Sequence, residues 1–129
     1  MYPIDPGAVL LTSKQPLHIR DKFPWRYCRG MAVKPDNPQV IFVGNGDAAG
    51  GSTGAIQRST DGGETWRPRP LSKSPNSTMW CVATHASDPG LMLASNIYGE
   101  VYRSRDGGET WQKLWREFSE IRALLWVAA

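Results

Sequence analysis

Asp61 and Asp106 are the carboxylates whose placement in this 129-residue chain invites a chemical reading. Matched aspartates could act as acid and base or hold a cation, but each is followed at once by Gly-Gly rather than by the spaced carboxylates of a calcium loop. Other candidates are weaker. His18 and His85 are solitary, with no His or Cys at the spacing of zinc ligands. Gly44-Asn45-Gly46-Asp47 is glycine-rich, yet no Lys-Ser or Lys-Thr and no helix follows, as a phosphate loop requires. No serine nucleophile elbow is present. Cys28 and Cys81 read as reduced, packed thiols, because they stand out of register in otherwise equivalent segments. The expectation is therefore no metal, no cofactor and no assignable catalytic residue.

The surroundings of the two aspartates explain them better. Arg58-Ser59-Thr60-Asp61-Gly62-Gly63-Glu64-Thr65-Trp66 returns 45 residues later as Arg103-Ser104-Arg105-Asp106-Gly107-Gly108-Glu109-Thr110-Trp111, with eight of nine positions identical. A fixed period of that size marks a stacked repeat. The aspartate can close an Asx-type turn, helped by the hydroxyl of Ser59 or Ser104, and the glycines accept positive φ without a Cβ penalty. Thr65-Trp66 and Thr110-Trp111 then restart a strand, with the indole as an apolar plug against a neighbouring sheet. Ser59, Asp61, Gly63, Thr65, Trp66, Ser104, Asp106, Gly108, Thr110 and Trp111 are thus structural residues.

Around each box the same four short strands recur. Gly30 to Val33 matches Trp80 to Thr84, Val40 to Val43 matches Leu91 to Ala94, Ala55 to Arg58 matches Glu100 to Arg103, and Thr65 to Arg67 matches Thr110 to Leu114. The strand just before the box keeps the 45-residue offset, but further upstream it becomes 51, because Asn45 to Thr53 is six residues longer than its counterpart. Four brief strands in about 45 residues, bounded by Gly, Pro, Asn and Asp, describe a propeller blade.

Ser-x-Asp-x-Gly-x-Thr-Trp resembles the Asp box of BNR repeats, found in sialidase-like and related β-propellers, and both copies fit without departure. The resemblance covers about residues 28 to 129 and implies an all-β, partial β-propeller: an incomplete preceding blade and lead-in over 1–27, Asp-box blades over 28–70 and 71–116, and the first strand of a further blade over 117–129. A closed propeller needs at least four blades. The chain therefore reads as the C-terminal portion of a larger propeller, or as a unit that self-associates to complete one. The fold implies that the box lies at the outer end of each blade, away from the ligand face.

That face would be built from the second-to-third-strand loops and the inner-strand entries. Its candidate binding residues are Asn45, Asp47, Asn96 and Tyr98 for hydrogen bonding, Trp80 for stacking, and Arg29. Sialidase-like chemistry implies an arginine trio, an aspartate acid/base and a tyrosine nucleophile beside a glutamate. Tyr98 and Glu100 are near in sequence, but residues i and i+2 of a strand share a side without necessarily touching. Phe23-Pro24-Trp25-Arg26 does not match the Phe-Arg-Ile-Pro element, so the expected function is a non-catalytic binding or assembly scaffold for a protein or saccharide. The alternative is a fragment of a glycoside hydrolase resembling exo-sialidases.

Net charge is +3, with the densest basic cluster at Arg20, Lys22, Arg26, Arg29 and Lys34 interleaved with Phe23, Trp25 and Tyr27. So small a net charge, without a nucleic-acid motif, favours a solvated loop over a nucleic-acid surface. The opening residues have neither a basic region nor an apolar core, and no apolar run has membrane-spanning length. A cytoplasmic setting is the default expectation.

Overall fold

The computed structural model describes the backbone of residues 9–11 and 16–18, Phe23, Trp25, and residues 27–127. Among the described residues ten strands run in the order β1 (Val9–Leu11), β2 (Pro16–His18), β3 (Tyr27–Lys34), β4 (Asn37–Gly46), β5 (Gly54–Ser59), β6 (Arg67–Pro68), β7 (Met79–Ala83), β8 (Met92–Asn96), β9 (Val101–Ser104) and β10 (Gln112–Lys113). β1 pairs with β2, while β3-β4-β5-β6 and β7-β8-β9-β10 form two four-stranded antiparallel meanders that do not close. No helix occurs among the described residues. These are two propeller-type blades, in the all-β architecture that the repeat implies.

Each blade is held at its outer end by the same turn. In the first, Ser59 Oγ accepts from Gly63 N–H at 2.9 Å and donates to Asp61 Oδ1 at 2.8 Å, while Asp61 Oδ1 accepts from Thr65 N–H at 2.9 Å. In the second, the matching distances at Gly108, Asp106 and Thr110 are 2.8, 2.7 and 2.9 Å. The glycines are needed: φ is 71° and 98° at Gly62 and Gly63, and 71° and 86° at Gly107 and Gly108. Both indoles donate back into the turn, Trp66 to Gly63 O at 2.8 Å and Trp111 to Gly108 O at 3.0 Å. These bonds hold the Thr-Trp pairs within the turn, so the fourth strands begin at Arg67 and Gln112, two residues later than the sequence reading places them.

The blades pack through that turn. Trp111 is 1% exposed and lies in one cluster with Val40, Phe42 and Ile56 of the first blade and Val82, Met92, Ala94 and Tyr102 of the second. Its ring meets Phe42 edge to face, with centroids 6.3 Å apart. Gly108 lies so close that a Cβ there would come within 2.3 Å of the Phe42 ring. Leu71, from the linker between the blades, bridges to Trp111 on the other side. Trp66 meets Phe23 edge-on at 5.3 Å but is only half-buried.

The last stretch departs from the sequence reading. Glu120 to Trp126, expected as the first strand of a further blade, has no strand pairing. It lies over the second blade, with Ile121 N–H donating to Ile97 O at 3.0 Å, Trp126 Nε1 donating to Leu91 O at 2.9 Å, and Leu124 packed on Trp80, Cys81 and Ile97. A strand is defined by a paired neighbour, and among the described residues no strand pairs with this stretch. At the opposite end, β1 and β2 pair with each other, and Ala8, Ile19 and Arg20 lie outside the described residues.

The two tryptophans give an internal comparison. Trp111→Ala should cost about 3–5 kcal/mol, enough to unfold much of the population, because it empties the centre of the inter-blade core. Trp66→Ala should cost less than half of that; equal losses in urea unfolding would show that the blade junction is not the centre of stability.

Candidate functional site

The turns β4–β5 (47–53) and β8–β9 (97–100) open at the same end of the two blades, opposite the boxes, and the linker residues 76–78 run between them. Thr78 N–H donates to Gly50 O at 3.0 Å and Thr78 Oγ1 to Ala48 O at 2.5 Å, tying the linker to the long first turn. Ser77 Oγ accepts from Tyr98 N–H at 3.2 Å, tying it to the short second turn. Six extra residues in the first turn give it the reach to close over Thr78.

Most candidate polar groups here are engaged internally. Asn45 is buried: its Nδ2 donates to Trp25 O at 2.9 Å and its Oδ1 accepts from Gln57 Nε2 at 3.5 Å. Asp47 is exposed but closes its own loop, accepting from Ser52 N–H at 3.0 Å and Ser52 Oγ at 2.7 Å. Those bonds, from the hydroxyl first and then the backbone, hold its carboxyl below the usual range. Asn96 is buried, donating to Asn76 Oδ1 at 2.9 Å and Glu100 Oε1 at 2.7 Å and accepting from Glu100 N–H at 2.9 Å. Asn45 and Asn96 are thus equivalent ties, each fixing the segment that leads into its own blade.

Glu100 is the residue that sequence reasoning underrated. Its side chain is fully buried, and besides Asn96 it accepts from Asn76 N–H at 2.8 Å and Lys73 Nζ at 3.3 Å. Burial opposes its charge, yet the bonds from Asn76 and Asn96 and the Lys73 ammonium prevail and hold the carboxyl below its ordinary range. None of these contacts is with Tyr98, so the pairing of tyrosine and glutamate that sialidase-like chemistry implies is not assembled. Tyr102, next to this network, is buried and donates to Lys73 O at 3.0 Å; burial first, and then the charges of Glu100 and Glu117, push its hydroxyl up. The signal was available, since Glu100 fills the place taken by Ala55 in the first copy.

Arg29 and Trp80 are brought together. Pairing slips between Cys28 and Gly30 in β3 and between Met79 and Cys81 in β7, so each is the extra residue of an equivalent β-bulge. The Arg29 guanidinium lies 4.0 Å from the Trp80 ring centroid, and the indole is 8% exposed, leaving little of its face for a ligand. Arg29 Nε is buried without a hydrogen-bond partner. Cys81 packs in the same cluster as Trp80; burial raises both thiols, with Cys28 pushed up to about 11, and neither is paired. Tyr98 is the candidate that stays open, 50% exposed, with its hydroxyl over Gly50 so closely that a Cβ there would approach within 2.6 Å. Trp115 at 90% exposed and Phe118 at 49% exposed, with Arg116 5.6 Å from the Phe118 centroid, were not anticipated; Phe118 N–H bonds to Gly99 O, at the same end of the blade. Of the basic cluster, Arg20, Lys22 and Arg26 lie outside the described residues, and Lys34 is paired with Asp36.

Among the described residues no three His, Cys, Asp or Glu side chains are grouped as metal ligands, and no helix is long and apolar enough to cross a membrane. Two four-stranded blades joined through Trp111, with loop ends gathered opposite the Asp-box turns, have the arrangement of neighbouring propeller blades. The BNR/Asp-box repeat matches residues 57–68 and 102–113, and the chain carries two copies of it. Among solved structures, an ancestral GH74 enzyme matches at 20% identity and a TM-score of 0.61, over 79% of this chain and 14% of that one. A GH74 enzyme of Niastella koreensis (21% identity, TM-score 0.47, 67% of this chain and 11% of that one) and a GH74 xyloglucanase of Xanthomonas campestris (21%, 0.48, 67% and 15%) are similar over a smaller part. The likeness to the ancestral enzyme shows the fold, and the chain spans about 14% of that enzyme's length. No curated protein matches the sequence.

The box carboxylates set an acid limit. In Asp61 the Thr65 hydroxyl, its N–H and the Ser59 hydroxyl lower the pKa to about 2; in Asp106 burial opposes ionisation, but the Thr110 and Ser104 bonds still lower it to about 2. A folded pKa below the unfolded value of about 3.9 means stability present above that value and lost as pH falls toward 2. The unfolding midpoint should therefore drop between about pH 4 and 2, and Asp61→Asn with Asp106→Asn should flatten that slope; an unchanged slope in the double variant would assign acid sensitivity to other groups.

Proposed function

We propose that the chain contributes two non-catalytic blades to a binding propeller, with the end bearing the β4–β5 and β8–β9 turns as its ligand side. The observation that carries this is the use made of the polar groups there. Asn45, Asn96 and Glu100 are buried in ties that fix the blade entries, and Asp47 closes its own turn. Fixed loops of this kind present a surface instead of supplying a mobile acid or base. What remains outward is Tyr98, half-exposed, whose ring offers stacking area at small entropic cost to a saccharide or a protein side chain.

A second reading, a glycoside hydrolase fragment, is favoured by the fold shared with the ancestral GH74 enzyme. In that case the acid and base would come from outside these two blades, because Glu100, the buried carboxylate of this end, is committed to Asn76, Asn96 and Lys73. Fold alone does not transfer an activity.

The two readings separate in one experiment. On a saccharide array and in a protein pull-down the whole chain should retain a ligand without hydrolysing a panel of aryl glycosides and an aryl sialoside. Tyr98→Ala should weaken that retention about tenfold, the loss of one stacking contact of roughly 1–1.5 kcal/mol. Release of the aryl group above buffer, abolished by substitution of a carboxylate in this chain, would overturn the non-catalytic assignment.

A further inference from the structure

The junction between the two blades is a template for what fits the far face of the second. Across the first blade the row Ala32, Phe42, Arg58, Arg67 is in register from strand to strand. Phe42 in that row receives Trp111, and Arg58 Nη1 lies 3.9 Å from Glu109 Oε1, with its guanidinium 6.0 Å from the Phe42 centroid. The second blade repeats the row in the same register as Ala83, Leu93, Arg103, Gln112. Among the described residues nothing there plays the part of Glu109 and Trp111. Leu93 and Arg103 are half-buried, Arg103 has no ion pair among the described residues, and a cleft of about 380 Å³ lined by Asp88, Leu91, Arg103 and Arg105 opens beside them.

The complementary half exists on the first blade. Trp66 is met edge-on by Phe23 and stays half-buried, whereas Trp111 is met edge-on by Phe42 and is buried in the inter-blade core. Glu64, at the position of Glu109, is exposed and has no ion pair among the described residues.

We propose that the chain associates head to tail, Leu93 and Arg103 of one copy receiving Trp66 and Glu64 of a second copy. The occupant follows from the template: an Asp-box edge with Glu and Trp two residues apart, opposite in charge to Arg103, carried by this chain itself. Such a heterologous contact repeats from copy to copy, so it runs on until the rotation closes a ring. The incoming β3 takes the place now covered by Ile121 to Trp126, as β3 and β7 adjoin within the chain. That segment is the competitor, held mainly by the Ile97 and Leu91 carbonyls and by Leu124. The inference is independent of what the blades bind.

Sedimentation velocity over a concentration series tests it. The wild-type chain should associate, and Glu64→Arg and Arg103→Glu should each weaken association about tenfold through like-charge opposition. An equimolar mixture of the two variants should regain wild-type association, because it offers one native and one reversed pair. Leu124→Asp, which loosens the covering segment, should strengthen association. All variants must retain the wild-type circular dichroism spectrum; Thr60→Arg, outside the contact row, serves as a charge control and should leave association unchanged. A wild type that stays monomeric at every concentration, or a mixture no tighter than either variant alone, would overturn the proposal.

Discussion

The Asp-box turn is the constraint on which the other features depend. One carboxylate and one hydroxyl satisfy backbone donors that a tight turn with two left-handed glycines cannot pair internally, and the indole N–H caps the same turn from outside. Because the tryptophan is bonded to the turn at one edge, its ring is delivered at a fixed angle to the neighbouring sheet. Local hydrogen bonding and long-range packing are thus the same device. Without the turn, Trp111 would have no fixed approach to Phe42, and two small meanders would share little core.

This device works in one direction. The second box reaches back to the preceding blade, where Phe42 and Arg58 receive it, and the second blade carries Leu93 and Arg103 in the same register. Trp111, with the sheet face of the first blade behind it, is buried, whereas Trp66, met edge-on by Phe23, is half-buried. Polarity of this kind is inherent in a tandem repeat, whose units bury their faces only on one another.

The repeat made much of the fold legible. Eight identical residues in nine, at positions with a clear turn logic, fixed the box, and the alternating stretches around it located eight strands to within a few residues. What could not be read were features set by partners distant in sequence. The bulges at Arg29 and Trp80 are visible only as a slip between paired strands, and the stacking of one on the other requires two blades in place. The residues 120–126 show the converse: their pattern is strand-like, but pairing is a property of neighbours and not of the segment. Glu100 lies between these cases, since a charge in a row otherwise apolar or small is a visible anomaly whose partners, Lys73 and Asn76, sit in a linker without regular pattern.

The two copies diverge where they are not needed to hold the fold. Their boxes differ at one position in nine, whereas the turns at the opposite end differ by six residues in length, and their ties are built from different groups. In the first copy Asn45 reaches a backbone carbonyl; in the second the same tie is made through a buried carboxylate and an ammonium. Between the two copies the box end is nearly constant, while the opposite end varies in length and is nonetheless held by buried ties. The exposed ring of Tyr98, set over Gly50, lies at the variable end.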